Sequence, residues 1–182
     1  RPLVEISKRG DDEGTEAFFK AWVAQADKLV SLADEDEAKG RTQSAGAKHG
    51  RAATYYITAE RMQHRDFAPR KAVYQKMLDS FAKYNKLYAF DCERIDIPYQ
   101  GKTLSALFVK APGADKQPAP CMTLFNGLDS TKEMLYGCGI QQELARRGIS
   151  SIAVDQPGVG EALRLHKLTA IIEAEVWAGA VV

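Results

Sequence analysis

The sequence predicts an α/β protein in which an N-terminal helical region precedes a mixed, mostly parallel sheet. Residues 1–90 carry two prolines, Pro2 and Pro69, and their apolar residues recur at helical spacing. Residues 91–182 instead show short alternating or apolar runs, separated by loops that contain proline and glycine. The 182 residues, 45% of them hydrophobic, suffice for one ordinary domain or two small ones. We therefore expect a helical, cap-like region over residues 1–90 and a sheet region over 91–182.

The first region contains three predicted helices. They span residues 16–39, about 43–63, and from Pro69 to about 87. Thr15 is expected to cap the first helix and Gly40 to end it. The aromatic and methionine side chains along these helices are typical of packed helix faces. Helices in succession also allow a different interpretation, a non-catalytic helical interaction module.

The second region alternates between strands and helices in the order typical of a parallel sheet covered by helices. A hairpin with its turn at residues 99–102 leads into this pattern, which makes the predicted sheet mixed. The predicted strands cover residues 94–98, 104–109, 121–125 and 149–154, and the predicted helices cover 131–147 and 169–182.

The net charge and the cysteines disfavour several kinds of partner and site. Lys plus Arg number 25 and Asp plus Glu number 24, and this net charge of +1 disfavours nucleic acid and anionic membranes as main partners. Cys92, Cys121 and Cys138 are too widely spaced for a disulfide framework or a structural zinc site. We expect buried free thiols and a cytoplasmic location. The sequence implies no metal or organic cofactor.

The loop at residues 126–131 follows a predicted strand, and ligands bind outside the carboxyl ends of the strands in open parallel sheets. Gly127 permits a tight turn there. The backbone amides of Leu128 and Asp129 would then point into the crevice near a helix N-terminus, where they can stabilise an oxyanion. A helix cap formed by the hydroxyls of the next two residues explains the same loop equally well. The residues alone leave both interpretations open.

A second loop, at residues 155–161, contains half of a dinucleotide-binding fingerprint. The third glycine is missing, since Gly158-Val159-Gly160 is followed by Glu161 and two apolar residues. Nucleotide binding is therefore only a third interpretation. Asp155 is expected to order this loop as a capping or turn residue.

The two loops together resemble those of the α/β-hydrolases. The segments that carry the resemblance are Phe125-Asn126-Gly127-Leu128-Asp129-Ser130-Thr131-Lys132-Glu133 and Asp155-Gln156-Pro157-Gly158-Val159-Gly160-Glu161. The most similar clade has a helical region ahead of the hydrolase core. It includes 2,6-dihydroxypseudooxynicotine hydrolase, the fungal polyketide chain-shortening hydrolases and the FrsA-like proteins. The resemblance extends from the second helix onward and implies that the first half of an α/β-hydrolase core follows the helical region.

This resemblance implies a serine-type hydrolase that cleaves a C–C or ester bond next to a carbonyl in a small-molecule substrate. It assigns an oxyanion-hole amide to Leu128 and a substrate-facing carboxylate to Asp129, with Gly127 as the substrate-binding turn that enables both. The family nucleophile is a serine in a Gly-x-Ser-x-Gly elbow. That pattern does not occur in this sequence, so the catalytic triad is expected outside it.

We therefore expect the sequence to be the N-terminal portion of such a hydrolase, with Val182 falling just before the strand that leads to the nucleophile. The C-terminal half, in the same or a separate chain, would be its main partner. In the family's strand order the third strand would keep an unpaired edge. Such an edge invites pairing with another chain, and a homodimer is one form that this pairing can take.

Overall fold

The computed structural model describes residues 11–64 and 66–182, with side chains from residue 15 onward. The chain divides into two compact units, with the boundary between Phe90 and Asp91. The first unit contains helices and the second contains the sheet. Within the described residues, no helix is both long enough and apolar enough to cross a membrane.

Three helices form the first unit: α1 (Asp11–Ala38), α2 (Thr42–Arg61) and α3 (Pro69–Tyr88). Gly40 follows the end of α1 with a φ of 70°, and its amide donates to the carbonyl of Glu37, as expected for a helix stop. The prediction that Thr15 caps α1 is wrong, because the helix already begins at Asp11. Thr15 therefore lies inside the helix, where it cannot be the N-cap.

Small residues line the contact between the helices of the first unit, which lets their backbones approach closely. The fully buried alanines are Ala26, Ala33, Ala45, Ala52 and Ala59. Tyr56 and Tyr74 fill the remaining space, and the Tyr56 hydroxyl donates a hydrogen bond to Asp27 Oδ1 at 2.5 Å. These two tyrosines are therefore part of the helical core.

The second unit is built on four strands: β1 (Glu93–Tyr99), β2 (Lys102–Val109), β3 (Cys121–Phe125) and β4 (Ser150–Val154). Their spatial order is β1-β2-β4-β3. β1 with β2 and β2 with β4 are antiparallel, whereas β3 with β4 is parallel. The predicted mixed sheet is therefore confirmed, although two of the three described strand pairs are antiparallel. One buried cluster of its core contains Tyr99, Leu104, Ala106, Val154, Ala162, Leu168 and Trp177.

β3 is an edge strand, and in the described chain it pairs only with β4. Met122 and Phe125 on this strand are exposed. The expectation of an open edge at the third strand is therefore confirmed. Cys121 and Cys138 are exposed as well, so the expectation of buried thiols is wrong at these two positions.

The helices of the second unit differ from the prediction. The expected helix over 131–147 is divided into α4 (Lys132–Gly137) and α5 (Ile140–Arg146). Gly139 separates them with a φ of 80°, a left-handed conformation that a continuous helix cannot contain.

The last helix is also shorter than predicted. Instead of one helix over 169–182 there are α6 (Gly160–Arg164), which the sequence pattern did not reveal, and α7 (Ala174–Ala178). Both have five residues, too few for apolar periodicity to be recognised.

Candidate functional site

Two loops leave the sheet side by side, because β3 and β4 are parallel and their last residues, Phe125 and Val154, pair with each other. Asn126 and Asp155 follow them directly. The Asn126 side-chain amide donates to the Val154 carbonyl and to Asp155 Oδ1, both at 3.0 Å. The loops are thereby connected at the carboxyl ends of the strands, where ligands bind in open α/β sheets.

Gln156 holds the first loop in a second way. Its Oε1 accepts from the backbone amide of Asn126 at 3.0 Å, and its Nε2 donates to the carbonyl of Asn126 at 2.5 Å. The side-chain amide of Gln156 thus pairs with Asn126 as the backbone of a neighbouring strand would. This pairing extends the β3–β4 ladder by one residue.

Beyond Asn126 the chain turns. The Ser130 amide donates to the Gly127 carbonyl at 3.2 Å, and Asp129 takes the left-handed conformation, with a φ of 58°. This is the third position of the turn, where a positive φ is required in one common turn type. The sequence placed the special backbone position at Gly127, but Asp129 takes it, since Asp adopts this region more readily than most residues.

The turn leaves successive backbone amides unpaired. In the part of the chain that the structure describes, the amides of Gly127, Leu128 and Asp129 donate no hydrogen bond. The Leu128 side chain is 90% exposed, so it does not anchor the turn in a core. Unpaired amides at the end of a parallel strand are donors suited to an anionic oxygen.

The helix cap expected as an alternative is present too, and Thr131 forms it. Thr131 Oγ1 accepts a hydrogen bond from the Met134 amide at 3.3 Å, at the start of α4. Ser130 instead donates to the Asn126 side chain. Capping uses Thr131, whereas the backbone amides of residues 127–129 remain without a described hydrogen bond. A helix cap and an oxyanion-binding turn can therefore both be present in this loop.

A buried ion-pair cluster lies behind the two loops. Lys132 and Asp155 are both 0% exposed, and the Lys132 Nζ lies 3.0 Å from Asp155 Oδ2. The same ammonium is 2.5 Å from Glu161 Oε1 and 2.7 Å from Glu133 Oε1. Burying an ammonium group is costly unless charge partners and hydrogen bonds compensate, as these three carboxyl groups do.

Asp155 also binds backbone amides. Its Oδ1 accepts from the amide of Lys132, at the start of α4, and its Oδ2 accepts from the amide of Glu161, near the start of α6. One carboxylate therefore caps two helices. A capping or turn role for Asp155 was expected from its position after a strand. The role predicted for Asp155, ordering of its loop, agrees with these contacts.

Glu161 connects the cluster to the first two strands. Arg94 on β1 donates to both of its oxygens, at 2.6 and 2.9 Å, and Ser105 on β2 donates to Oε2 at 3.1 Å. Two hydrogen bonds from one guanidinium form the strong bidentate arrangement. The cluster thus joins β1, β2, α4 and α6 beneath the loop that carries Leu128.

Burial and charge shift the pKa values within this cluster. Burial alone would raise the pKa of Glu161, but the Arg94 hydrogen bonds and the Lys132 charge outweigh it and hold that pKa at about 2. Burial alone would lower the pKa of Lys132, yet the carboxylates of Asp155, Glu133 and Glu161 raise it. Burial raises the pKa of Glu133, the member of the cluster whose Oε2 has no described hydrogen-bond partner.

Gly160 is required by the same cluster. A Cβ at this position would lie 1.9 Å from Asp155 Cγ, and its φ of +46° is one that L side chains rarely adopt. The absence of a side chain at residue 160 therefore lets the Asp155 carboxylate approach the start of α6. This contact accounts for Gly160 without the dinucleotide fingerprint.

Lys132, Glu161, Arg94 and Ser105 were not identified from the sequence as site residues. A lysine at the start of a predicted helix is normally solvated, and nothing in its spacing marks it as buried. One signal was present. Arg94 and Asp96 alternate with apolar residues on β1, which places their side chains on a common face.

Comparisons with known proteins agree with this fold. No protein-family model matches the chain. Hydrolase LUC6 from Fusarium sp is 32% identical over 170 residues, which cover 91% of this chain and 40% of the relative. The hydrolyase poxO from Penicillium oxalicum is 30% identical over 98% of this chain and 43% of its own length. The 20-hydroxy-prefusarin hydrolase FUS2 from Gibberella moniliformis is 32% identical over 86% of this chain and 38% of its own.

Solved structures show the same fold. The crystal structure of the 2,6-dihydroxy-pseudo-oxynicotine hydrolase matches with a TM-score of 0.73 and 23% identity, over 99% of this chain and 48% of that one. AbyA5 matches with a TM-score of 0.61 and 21% identity, over 86% and 42% of the two chains. At these identities the similarity concerns the fold.

The fold and the relatives define the class: this chain is similar in sequence and fold to the α/β-hydrolases. The resemblance expected from the two loops is thereby confirmed. The chain spans about two fifths of the length of the curated relatives given above, from 38% to 43%.

Proposed function

We propose that this chain supplies the helical region and the first half of the core of a serine-type α/β-hydrolase. The observation that carries the proposal is the run of unpaired amides at Gly127, Leu128 and Asp129 at the carboxyl end of β3. The names of the relatives, which are hydrolases, support it. The serine nucleophile would come from sequence beyond these 182 residues, in the same or a separate chain.

In this mechanism, the serine oxygen attacks a substrate carbonyl and a tetrahedral intermediate forms. The Leu128 amide donates a hydrogen bond to the negatively charged oxygen that develops there. Gly127 and the turn that follows keep this donor unpaired. The carboxylate of Asp129 would contact the substrate. The bond that is cleaved would be a C–C or ester bond next to the carbonyl.

The buried ion-pair cluster would act as a support for this donor. Lys132 follows the loop directly, and both its backbone amide and its ammonium are bound by Asp155. The end of the loop is thereby fixed to the end of β4. A donor that is held in place before the reaction stabilises a transition state better than one that must reorganise.

The substrate would be a small carbonyl compound. The FUS2 relative is named for 20-hydroxy-prefusarin and the solved structure for 2,6-dihydroxy-pseudo-oxynicotine, two organic small molecules.

The free cysteines Cys92, Cys121 and Cys138 favour a reducing compartment, and we therefore propose a cytoplasmic location.

Two variants at one position test the proposal, in the protein encoded by the complete gene. Leu128→Pro removes the backbone N–H, and proline is favoured at the second position of this kind of turn, so the loop geometry is kept. Leu128→Ala keeps the N–H and removes only the exposed side chain. Hydrolysis of p-nitrophenyl acetate is the measurement.

We expect kcat to fall about 10²- to 10³-fold in Leu128→Pro and to change only a few-fold in Leu128→Ala. Equal activity of the two variants would show that the amide is not an oxyanion donor. A complete protein that hydrolyses no ester and lacks a serine elbow would favour the helical interaction module instead.

A further inference from the structure

The helical unit contains another group of side chains with ligating atoms. His49 on α2 faces Asp34 and Glu37, which are three residues apart and therefore share one face of α1. The His49 Nε2 lies 3.8 Å from Asp34 Oδ1 and 3.9 Å from Glu37 Oε2. One ligand atom from each of the three residues lies within 4.8 Å of the others.

His49 is the independent observation that makes this more than an acidic patch. Its side chain is 1% exposed, and neither ring nitrogen has a hydrogen-bond partner among the described residues. Buried polar atoms are nearly always partnered, so such an imidazole requires an explanation. A neutral imidazole nitrogen can offer a lone pair to a metal ion.

The geometry points to a divalent transition-metal site formed by His49, Asp34 and Glu37, for which Zn²⁺ is the ion that fits this ligand set. Typical Zn–N and Zn–O bonds of about 2.0–2.2 Å put tetrahedral ligand atoms roughly 3.4 Å apart. Both carboxylates are half-exposed and can move the remaining distance by rotation. An imidazole ligand favours zinc over Mg²⁺ or Ca²⁺, and water can complete the fourth position.

A cationic group already lies beside these carboxylates. The Lys83 Nζ from α3 is 2.8 Å from Asp34 Oδ1 and 3.7 Å from Glu37 Oε2. Half-exposed ion pairs of this kind contribute little free energy, so a metal ion can displace the ammonium. Metal binding would then connect α1 to α2 through metal–ligand bonds and release Lys83 from its ion pair with Asp34.

The test is a titration of the metal-stripped protein with ZnCl₂ by calorimetry, followed by measurement of Tm. The background carries Cys121→Ser and Cys138→Ser, because exposed thiols bind zinc on their own. We expect one equivalent of bound Zn²⁺ and a Tm that rises with zinc concentration. His49→Gln should weaken binding at least about tenfold and abolish the Tm increase.

Three comparisons keep this result specific. His64→Gln is the matched control, since His64 also lies 3.8 Å from an aspartate but is exposed, and it should bind zinc like the parent. Asp34→Asn with Glu37→Gln removes the half-exposed carboxylates without changing the core and should also abolish binding. Lys83→Gln removes the competing ammonium and should tighten binding about two- to fivefold.

The proposal is overturned if the parent protein binds no zinc. It is equally overturned if the parent and the Asp34/Glu37 double variant bind zinc alike. Binding of Mg²⁺ as tight as that of Zn²⁺ would contradict it too, because it would show an acidic surface that does not use the imidazole. If His49→Gln does not fold, the double variant decides, since its changes lie at half-exposed positions.

Discussion

Asp155 binds Lys132 twice: Oδ1 accepts from the backbone amide of Lys132 at 2.8 Å, and Oδ2 accepts from its ammonium at 3.0 Å. The residue at the end of β4 thus fixes both the position and the side chain of the first residue of α4. Since Lys132 directly follows the loop of Gly127 to Thr131, the loop has one end fixed by the sheet and the other by this pair.

Removal of the buried ammonium should strongly destabilise the sheet unit. Lys132→Met leaves the carboxylates of Asp155 and Glu161 buried without their central cation, and we expect a loss of about 3–5 kcal/mol in the free energy of unfolding. Urea denaturation, followed by Trp177 fluorescence in a Trp22→Phe background, measures this unit. Lys110→Met removes one partner of an exposed ion pair with Asp115 and should cost far less stability than Lys132→Met. Similar losses in the two variants would contradict the stabilising role of the cluster.

Gly160→Ala should cost more than an alanine at another left-handed glycine. Its Cβ would overlap the Asp155 carboxyl group, so we expect a loss of at least about 2 kcal/mol, from strain and from displacement of that carboxylate. Gly101, in the β1–β2 turn, has a φ of +70° but open space around it. Gly101→Ala should therefore lose only about 1–2 kcal/mol, the backbone part alone. Chemical denaturation of both variants checks the difference, and equal losses would show that Asp155 adjusts freely.

Stability should fall in acid because of Glu161. Its pKa in the folded state is about 2, below the ordinary value of 4.5, so its contribution is complete above about pH 4.5 and is lost as the pH falls toward 2. The shift corresponds to roughly 3 kcal/mol. The raised pKa of Glu133 acts in the opposite direction and only at higher pH, since stability from this group is lost as the pH rises.

Unfolding free energies measured between pH 5 and pH 3 test this expectation. The wild-type chain should lose stability more steeply than Glu161→Gln, which cannot take up the proton at this position. Parallel pH profiles would mean that other carboxyl groups cause the acid sensitivity.

Asp129→Asn should separate the charge of this residue from its backbone role. Asparagine adopts the left-handed region as readily as aspartate, so the φ of 58° can be kept and stability should change by less than about 0.5 kcal/mol. If the carboxylate contacts substrate, kcat/KM of the complete enzyme should fall about tenfold or more. An unchanged rate would leave Asp129 as a turn residue only. Asp129→Ala should lose about 1 kcal/mol of stability as well, because alanine is strained in this conformation.

Much of the fold was predictable because local signals agreed with the tertiary structure. The strand at Cys121–Phe125 was predicted with its observed bounds, since an apolar run lies between a proline-rich loop and Asn126-Gly127. The three long helices followed from apolar spacing. The division of one predicted helix into α4 and α5 was missed because a glycine within an apolar pattern does not reveal its φ.

The candidate site was only partly predictable for a different reason. The loop with Leu128 directly follows a strand in the sequence, so its position at the end of that strand can be predicted from the neighbouring residues alone. The cluster of Lys132, Glu161 and Arg94 joins residues up to 67 positions apart, and its burial depends on how strands and helices assemble. The alternation on β1 indicates only that Arg94 and Asp96 share a face of the strand, and no local signal indicates the contact of Arg94 with Glu161.

The side-chain amide of Gln156 has a consequence for how many hydrogen-bond donors face the crevice. Because it saturates both backbone groups of Asn126, the first vacant N–H is the one at Gly127. A side chain from the loop after the adjacent strand therefore sets where regular pairing stops. In the proposed hydrolase, a change at position 156 would alter which backbone donors the substrate meets.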